Sequence, residues 1–157
     1  IPKAGARIMA LDDPRVKMSK SESDKRGHAI RLLDEPDEVM YAFKRAVTDS
    51  GREIRFSDDP EKAGVNNLLD IYQAVTGKDK AAVEADFAGA RGYGDLKVGV
   101  AEAVIETLRP IQARYKELMA DTAELDRLLA HGAEQARAVS QPKVDEMKRM
   151  MGLVLPG

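Results

Sequence analysis

The stretch DLKVGVAEAVIETLRPIQARYKEL, residues 95–118, contains the longest helical pattern in the sequence. Apolar residues recur along it at helical spacing: Val100, Val104, Leu108, Ile111, Tyr115 and Leu118. This period predicts one long amphipathic helix. Pro110 lies inside it and removes one backbone hydrogen bond, so we expect a kink there rather than a break.

Three shorter helices are predicted before this one. The first spans about residues 36–47, with Asp34 or Glu35 as a plausible cap. The second carries the apolar face of residues 68–75 and stops at Gly77, which suits a left-handed terminator. Asp79 caps the third, a short helix with Val83 and Phe87 on its apolar side.

A last helix is predicted after residue 118. It opens after Asp121 or Thr122, and Pro142 either divides it from the terminal VDEMKRMMGL or kinks it into that stretch. Three methionines in the terminal stretch have helical spacing: Met147, Met150 and Met151. We expect ordinary core packing for them rather than a partner surface. About five helices with short links predict a mainly α fold, a helical bundle with little sheet of its own.

One short strand is expected ahead of the bundle. In GARIMALDDP the apolar residues 8–11 follow a glycine and precede Asp-Asp-Pro, a pattern typical of a buried strand that ends in a turn. A lone strand cannot satisfy its own backbone groups, so we expect it to pair with a sheet elsewhere or with strands of a longer protein. The first residue is Ile1 rather than Met, which also favours a fragment.

Composition excludes several function classes. The 157 residues are 43% hydrophobic and 33% charged, and no apolar run approaches the roughly 20 residues of a membrane span. There are no cysteines and only two histidines, His28 and His131, so a zinc site or a cysteine nucleophile is not expected and no metal ligand is assigned. Nothing resembles a secretory signal, which fits a cytoplasmic protein.

Basic charge is concentrated near the start of the chain. The net charge is −2, but residues 1–31 hold eight basic and four acidic side chains and are therefore at +4. In RVKMSKSESDK, residues 15–25, Lys17 and Lys20 stand three apart with hydroxyls around them. Two ammonium groups on such a loop suit a polyphosphate, although a solvated basic loop has the same composition. The glycine-rich Walker pattern is absent.

The order of motifs along the chain resembles the C-terminal part of bacterial tryptophanyl-tRNA synthetases. KMSKS, residues 17–21, is letter for letter the second signature of class I aminoacyl-tRNA synthetases. Around it stand, in the family's order, GARIMAL, LLD, AVTDS, NLLDIY, GYGDLK, VIETLRPIQARY, ELDRLLAHGAEQA and MGL. The resemblance covers nearly the whole chain, and one five-residue string alone would be a weak signal.

The resemblance implies roles for individual residues. It places six of them at ATP: Ile8, Lys17, Met18, Ser19, Lys20 and Ser21. Lys17 and Lys20 are implied as catalytic residues that engage the triphosphate while tryptophan is activated. Met18 is expected near the adenine, the main chain of Ile8 against it, and the two serines as hydroxyl or backbone contacts.

Two other positions carry weaker expectations. AVTDS, residues 46–50, is interpreted as a hinge or support behind the catalytic loop, with Asp49 and Ser50 terminating a helix rather than doing chemistry. His28 is expected at the surface or at a helix start, because it lacks the neighbouring glycine and second histidine of the first class I signature. That signature and the indole pocket are missing from the sequence, and ESDKRGHAI differs from many relatives.

The family therefore implies a domain division and a set of partners. Residues 1–33 would be the end of a truncated α/β nucleotide-binding domain, and residues 34–157 the helical anticodon-binding domain. ATP with Mg²⁺, tryptophan and tRNA(Trp) are the implied ligands, no tRNA-binding residue is assigned, and the intact enzyme is expected to be a homodimer. Two alternatives remain: a tyrosyl-tRNA synthetase fragment, or a non-catalytic helical module that binds RNA or protein.

Overall fold

Five α-helices account for most of residues 7–22 and 24–153, which are the residues that the computed structural model describes. In chain order they are α1 (Pro36–Arg45), α2 (Ala63–Thr76), α3 (Lys80–Asp86), α4 (Tyr93–Ala120) and α5 (Thr122–Met150). Short 3-10 helices, Lys20–Glu22 and Pro60–Lys62, precede α1 and α2. The predicted mainly α fold with five helices is confirmed.

Several helix ends follow the local chemistry that predicted them. Gly77 ends α2 in the left-handed conformation, at φ 69°, which glycine adopts without steric cost. The Asp79 carboxylate accepts a hydrogen bond of 2.8 Å from the Ala82 N–H and caps α3. Asp121 does the same for α5, accepting from the Glu124 N–H at 3.0 Å. Each of these bonds satisfies an amide that a helix start leaves without an intrahelical partner.

α1 begins at Pro36 as predicted, but its cap lacks the expected side-chain hydrogen bond and its C-terminal end lies earlier than predicted. Glu35 holds the N-cap position without a side-chain hydrogen bond, and the Asp34 carboxylate accepts instead from the Arg31 N–H at 2.8 Å. The helix ends at Arg45 rather than near Val47. The reason is tertiary, because the Val47 N–H donates to the Leu11 carbonyl at 2.7 Å and so leaves the helical ladder.

Both internal prolines are accommodated within continuous helices. Pro110 lies inside α4, which runs on to Ala120 as predicted. Pro142 lies inside α5, which continues to Met150, so Pro142 does not divide the last helix. A proline costs one hydrogen bond to the carbonyl four residues earlier, and the rest of the ladder can persist.

Compactness divides the chain into two units, Ile1–Gln112 and Ala113–Gly157. The predicted division between residues 33 and 34 concerns the functional origin of the segments and stays a prediction. In the first unit α1, α2, α3 and the first part of α4 bury one apolar core. Its largest fully buried apolar side chains are Leu11, Val39, Phe43, Val65, Leu68, Leu69, Val83, Leu96 and Val100.

The second unit contains the end of α4 and all of α5. No side chain of α5 is buried, and Met147, Met150 and Met151 are 56%, 81% and 66% exposed. The expectation of core packing for these methionines is therefore wrong for this chain. Helical spacing reveals an apolar stripe, but it carries no information on whether another element covers that stripe.

The expected strand over residues 8–11 is reduced to a single antiparallel bridge between Met9 and Lys17 in the described part of the chain. Ala10 and Leu11 are fully buried, as predicted for this segment. The bridge is short because the partner segment turns away into the Lys20–Glu22 helix after only a few residues.

Candidate functional site

The first two residues of the KMSKS sequence, Lys17 and Met18, end a small hairpin, residues 8–18, and its other three residues follow directly. The Ala10 N–H donates to the Val16 carbonyl at 2.8 Å, and the Met18 N–H donates to the Ile8 carbonyl at 3.1 Å. Met9 and Lys17 lie opposite each other between these two bonds. The hairpin therefore fixes the backbone position of Lys17 relative to the buried segment before it.

The turn of the hairpin is closed by Asp13 and Arg15. The Asp13 carboxylate accepts two hydrogen bonds from the Arg15 guanidinium, at 2.9 and 3.0 Å. It also accepts one from the Arg15 N–H at 3.1 Å. These bonds hold the pKa of Asp13 at about 2, so the carboxylate stays charged at neutral pH. The turn is thus closed by charge-assisted bonds before the chain reaches Lys17.

All six residues predicted at ATP lie on this hairpin or directly after it. Lys17, Lys20 and Ser21 are exposed, and no ion pair joins the Lys17 ammonium to another residue in the described ranges. Ile8 and Met18 are partly buried and pack against the apolar core. The Ser19 hydroxyl accepts a 3.2 Å hydrogen bond from the Ser21 N–H as the Lys20–Glu22 helix begins.

Lys17 and Lys20 are both exposed to solvent. The apolar side chains of Ile8 and Met18 lie on the inner side of the hairpin and pack against the core. Such a pair of cations can engage several oxygens of a polyphosphate.

His28 holds the chain in place after the KMSKS loop, residues 17–21, and the prediction that it lies at the surface is wrong. The side chain is only 2% exposed. Its Nδ1 atom is 2.8 Å from the Asp12 carboxylate, and its carbonyl accepts from the Leu11 N–H at 3.1 Å. The segment after the loop folds back onto the hairpin, a long-range contact that local sequence does not reveal.

Asp12 joins both sides of the loop. Besides His28 it forms an ion pair with Lys25. Burial raises the pKa of Asp12, but the hydrogen bonds from Lys25 and His28 outweigh burial and leave that pKa below its ordinary value. The carboxylate is therefore ionised at neutral pH.

Arg26 attaches the segment that follows the KMSKS loop, and that also contains His28, to α1. Its guanidinium donates two hydrogen bonds to Glu38, at 3.0 and 3.1 Å. It also lies 3.7 Å from the centroid of the Tyr41 ring, a cation–π distance. The loop is consequently held at both of its ends.

Asn67 of α2 contacts the backbone of Met9, and sequence reasoning missed it. Its Oδ1 accepts from the Met9 N–H at 2.8 Å, and its Nδ2 donates to the Met9 carbonyl at 2.9 Å. Asn67 is 5% exposed, between buried Val65 and Leu68. The one available sequence signal was an amide inside an apolar helix face, which does not name its partner 58 residues earlier.

The AVTDS segment, residues 46–50, is hydrogen-bonded to the hairpin through Val47 and to the starts of two helices through Asp49. Asp49 lies beyond the end of α1 and does not cap it, which corrects the expectation that it terminates the helix. Its carboxylate accepts from the Lys62 ammonium at 2.9 Å and from the Tyr93 hydroxyl at 2.9 Å. The Gly51 N–H also donates to it, at 2.6 Å. This network joins the segment to the starts of α2 and α4.

In this network the Asp49 carboxylate and the Lys62 ammonium each stabilise the charged form of the other. Burial raises the pKa of Asp49, but hydrogen bonds from Lys62, Gly51 and Tyr93 leave that pKa below its ordinary value. Hydrogen bonds with Tyr93 and Asp49 raise the pKa of Lys62. Since the Lys62 and Asp49 side chains are 18% and 13% exposed, the ionised pair is partly desolvated, and removal of one partner would leave the other charge without its counter-ion.

Gly64 explains how α2 approaches this segment so closely. A Cβ at that position would lie 2.1 Å from the Val47 carbonyl oxygen and 3.0 Å from its carbon. Only glycine permits that distance. Gly64, Lys62 and Tyr93, like Asn67, were not identified from the sequence, because each acts on residues far from it along the chain.

Among residues 7–22 and 24–153 there is no group of three or more His, Cys, Asp or Glu side chains arranged to hold a metal ion. In the same part of the chain no helix has the length and apolar character needed to span a membrane.

Comparison with known proteins gives consistent matches. Residues 2–109 match the family model described as "tRNA synthetases class I (W and Y)". The tryptophan–tRNA ligase of Wolinella succinogenes is 52% identical over 98% of this chain and 46% of its own length. That of Thermosynechococcus vestitus is 47% identical over 99% of this chain and 46% of its own length.

A solved structure matches as well. The crystal structure of tryptophanyl-tRNA synthetase from Mycoplasma pneumoniae superposes with a TM-score of 0.81 at 30% identity, over 98% of this chain and 45% of that one. The chain thus spans about half the length of the relatives it matches.

Proposed function

The chain belongs to the class I tRNA synthetases for tryptophan and tyrosine, and from this we propose that it is the C-terminal part of a tryptophan–tRNA ligase. The observation that carries the proposal is the 52% identity to a tryptophan–tRNA ligase across 98% of the chain. The same similarity favours tryptophan over tyrosine as the amino acid.

The reaction of the whole enzyme would have two steps. The carboxylate of tryptophan attacks the α-phosphorus of ATP, the bond to the bridging oxygen breaks, and pyrophosphate leaves with that oxygen. The product is tryptophanyl-adenylate. A terminal ribose hydroxyl of tRNA(Trp) then takes the acyl group, and AMP leaves.

Lys17 and Lys20 would act on the phosphates in the first step. Negative charge moves onto the departing pyrophosphate, and ammonium groups beside it stabilise the transition state more than bound ATP. The exposure of Lys17 on the anchored hairpin, and of Lys20 in the short helix directly after it, supports this role.

The neighbouring residues would position the nucleotide. Met18 and the main chain of Ile8 would lie near the adenine, where their partly buried side chains leave an apolar edge. The Ser19 hydroxyl, although it accepts from the Ser21 N–H, keeps its own O–H to donate to a phosphate oxygen. Ser21 would add a second hydroxyl or backbone contact.

The remaining ligands need surfaces beyond this hairpin. Mg²⁺ would arrive bound to ATP, and no side chain is assigned to it. Residues 1–33 would complete a nucleotide-binding domain whose other part forms the tryptophan pocket, and residues 34–157 would contact tRNA(Trp). The intact enzyme would be a cytoplasmic homodimer.

Adenylate formation by the full-length protein tests the proposed specificity. We expect incorporation of labelled pyrophosphate into ATP that depends on tryptophan and is at background with tyrosine. Equal or greater dependence on tyrosine would overturn the assignment and favour the tyrosine enzyme. No dependence on either amino acid would favour a non-catalytic module.

A further inference from the structure

The backbone of Met9 requires partners that the hairpin itself cannot supply. In an antiparallel pair, opposite residues alternate between those that exchange hydrogen bonds and those that do not. The bonds here are made by the flanking residues, Ala10 with Val16 and Met18 with Ile8. Met9 and Lys17 are therefore a non-bonded pair, and the N–H and C=O of Met9 face away from Lys17.

The amide of Asn67 takes both of these groups at once. It accepts from the Met9 N–H at 2.8 Å and donates to the Met9 carbonyl at 2.9 Å. The side chain thereby replaces one residue of a neighbouring strand. Because Asn67 is 5% exposed, water cannot readily take over these bonds if the amide is removed.

The helix that carries Asn67 is itself fixed against the same segment. Gly64, one turn earlier in α2, allows contact with the Val47 carbonyl, and the Val47 N–H donates to the Leu11 carbonyl at 2.7 Å. Met9 and Leu11 are thus both hydrogen-bonded on the side opposite the loop. These contacts determine where the first strand of the hairpin lies.

The geometry points to Asn67 as a positioning residue for Lys17. By fixing Met9, it fixes the residue directly opposite Lys17, and so links α2 to the proposed ATP-binding loop. This inference rests on the proposed role of Lys17 in tryptophan activation. A misplacement of about 1 Å at a catalytic group can cost roughly a hundredfold in rate, so a loosened strand would be visible in kinetics.

The adjacent residue provides a matched control. Asn66 makes the same two bonds with a different backbone: it accepts from the Ser57 N–H at 3.0 Å and donates to the Ser57 carbonyl at 2.6 Å. Ser57 precedes the Pro60–Lys62 helix and does not lead into the loop. Asn66→Ala therefore removes equivalent bonds from the same helix without releasing Met9.

The test is tryptophan-dependent pyrophosphate exchange by the full-length enzyme. We expect Asn67→Ala to lower kcat about tenfold or more, with the KM for tryptophan within about twofold. Asn66→Ala should leave kcat within about twofold. Thermal unfolding of both variants shows whether they are folded. If Asn67→Ala does not fold, Asn67→Asp replaces it, because it keeps the acceptor for the Met9 N–H and loses the donor to the carbonyl.

Combination with Lys17→Ala separates positioning from a general structural effect. If Asn67 acts through Lys17, the double variant is no slower than Lys17→Ala alone. Multiplied losses in the double variant, or equal kcat values for Asn67→Ala and Asn66→Ala, would overturn the positioning role while leaving the proposed function intact. Unchanged exchange by Lys17→Ala alone would instead remove Lys17 from the proposed mechanism, and the inference about Asn67 with it.

Discussion

Asp49 shows at the residue scale how charge and packing act together behind the proposed ATP-binding loop. Its carboxylate binds Lys62 and Tyr93, and these residues begin or precede helices that belong to the apolar core. The AVTDS motif directed attention to Asp49 from sequence alone. Its partners come from 13 and 44 residues away, distances over which local patterns carry no information.

Asp49→Asn should destabilise the chain by about 1–2 kcal/mol at pH 7, because Lys62 and Tyr93 lose a charged acceptor in a partly desolvated place. The pKa of Asp49 is lowered on folding, so the stabilisation is full above the ordinary carboxyl pKa and is lost as pH falls through the lowered one. Urea unfolding at pH 6 and pH 3 should show the gap between variant and parent narrowing at low pH.

A gap that stays constant with pH would contradict the charged role of Asp49. Asp126→Asn is the control, because Asp126 is exposed on α5 and its replacement should change stability by less than about 0.5 kcal/mol.

Gly64→Ala tests the close contact between α2 and the Val47 carbonyl. Alanine favours a helix over glycine by about 1 kcal/mol, but a Cβ 2.1 Å from the Val47 oxygen forces movement that costs about 1–3 kcal/mol. We expect net destabilisation in urea unfolding. Gly132→Ala in α5, where a Cβ meets nothing within 4 Å, should be neutral or stabilising. Equal effects of the two substitutions would show that the contact is unimportant.

At the scale of elements, predictions succeeded where a few neighbouring residues decide the outcome. The ends at Gly77, Asp79 and Asp121 depend on bonds within three or four residues, and the sequence displays that chemistry directly. The strand over residues 8–11 became one bridge, because the outward backbone groups of Met9 and Leu11 bond to the Asn67 side chain, the His28 carbonyl and the Val47 N–H rather than to another strand. Such partners leave no periodic pattern.

α5 offers a test of how a proline acts in an exposed helix. Pro142 lacks the N–H that would bond the Ala138 carbonyl, so Pro142→Ala should stabilise α5 by about 1–3 kcal/mol. Amide hydrogen exchange should slow for residues on both sides of position 142. Glu134→Ala in the same helix should leave the exchange almost unchanged. Faster exchange in Pro142→Ala would show that the proline contributes a favourable contact.

At the scale of the whole molecule, the chain carries the loop but spans about half the length of its relatives. Catalytic groups that act as a unit lose nearly all rate when some are removed. We therefore expect the 157-residue chain alone to catalyse no tryptophan-dependent pyrophosphate exchange, whereas the full-length enzyme does. Exchange by the isolated chain above background would refute the division of the site between two parts of the enzyme.

The sequence pointed to the loop of the candidate site but not to the residues that hold this loop in place. KMSKS and its flanking motifs singled out the segment that carries Lys17 and Lys20, because the proposed action on ATP would need particular residue types in a fixed order. The residues that hold the segment, Asn67 and His28 among them, depend on how distant parts of the chain meet. Their role became visible only in the folded molecule.

The measurement that bears most directly on the proposed mechanism is the activation rate of Lys20→Ala in the full-length enzyme. Pre-steady-state adenylate formation and the dissociation constant of tryptophan would be determined for parent and variant. If Lys20 stabilises charge on the leaving pyrophosphate, the rate falls by about a hundredfold while tryptophan binding changes less than about twofold. An unchanged activation rate would contradict the assignment of this loop to ATP.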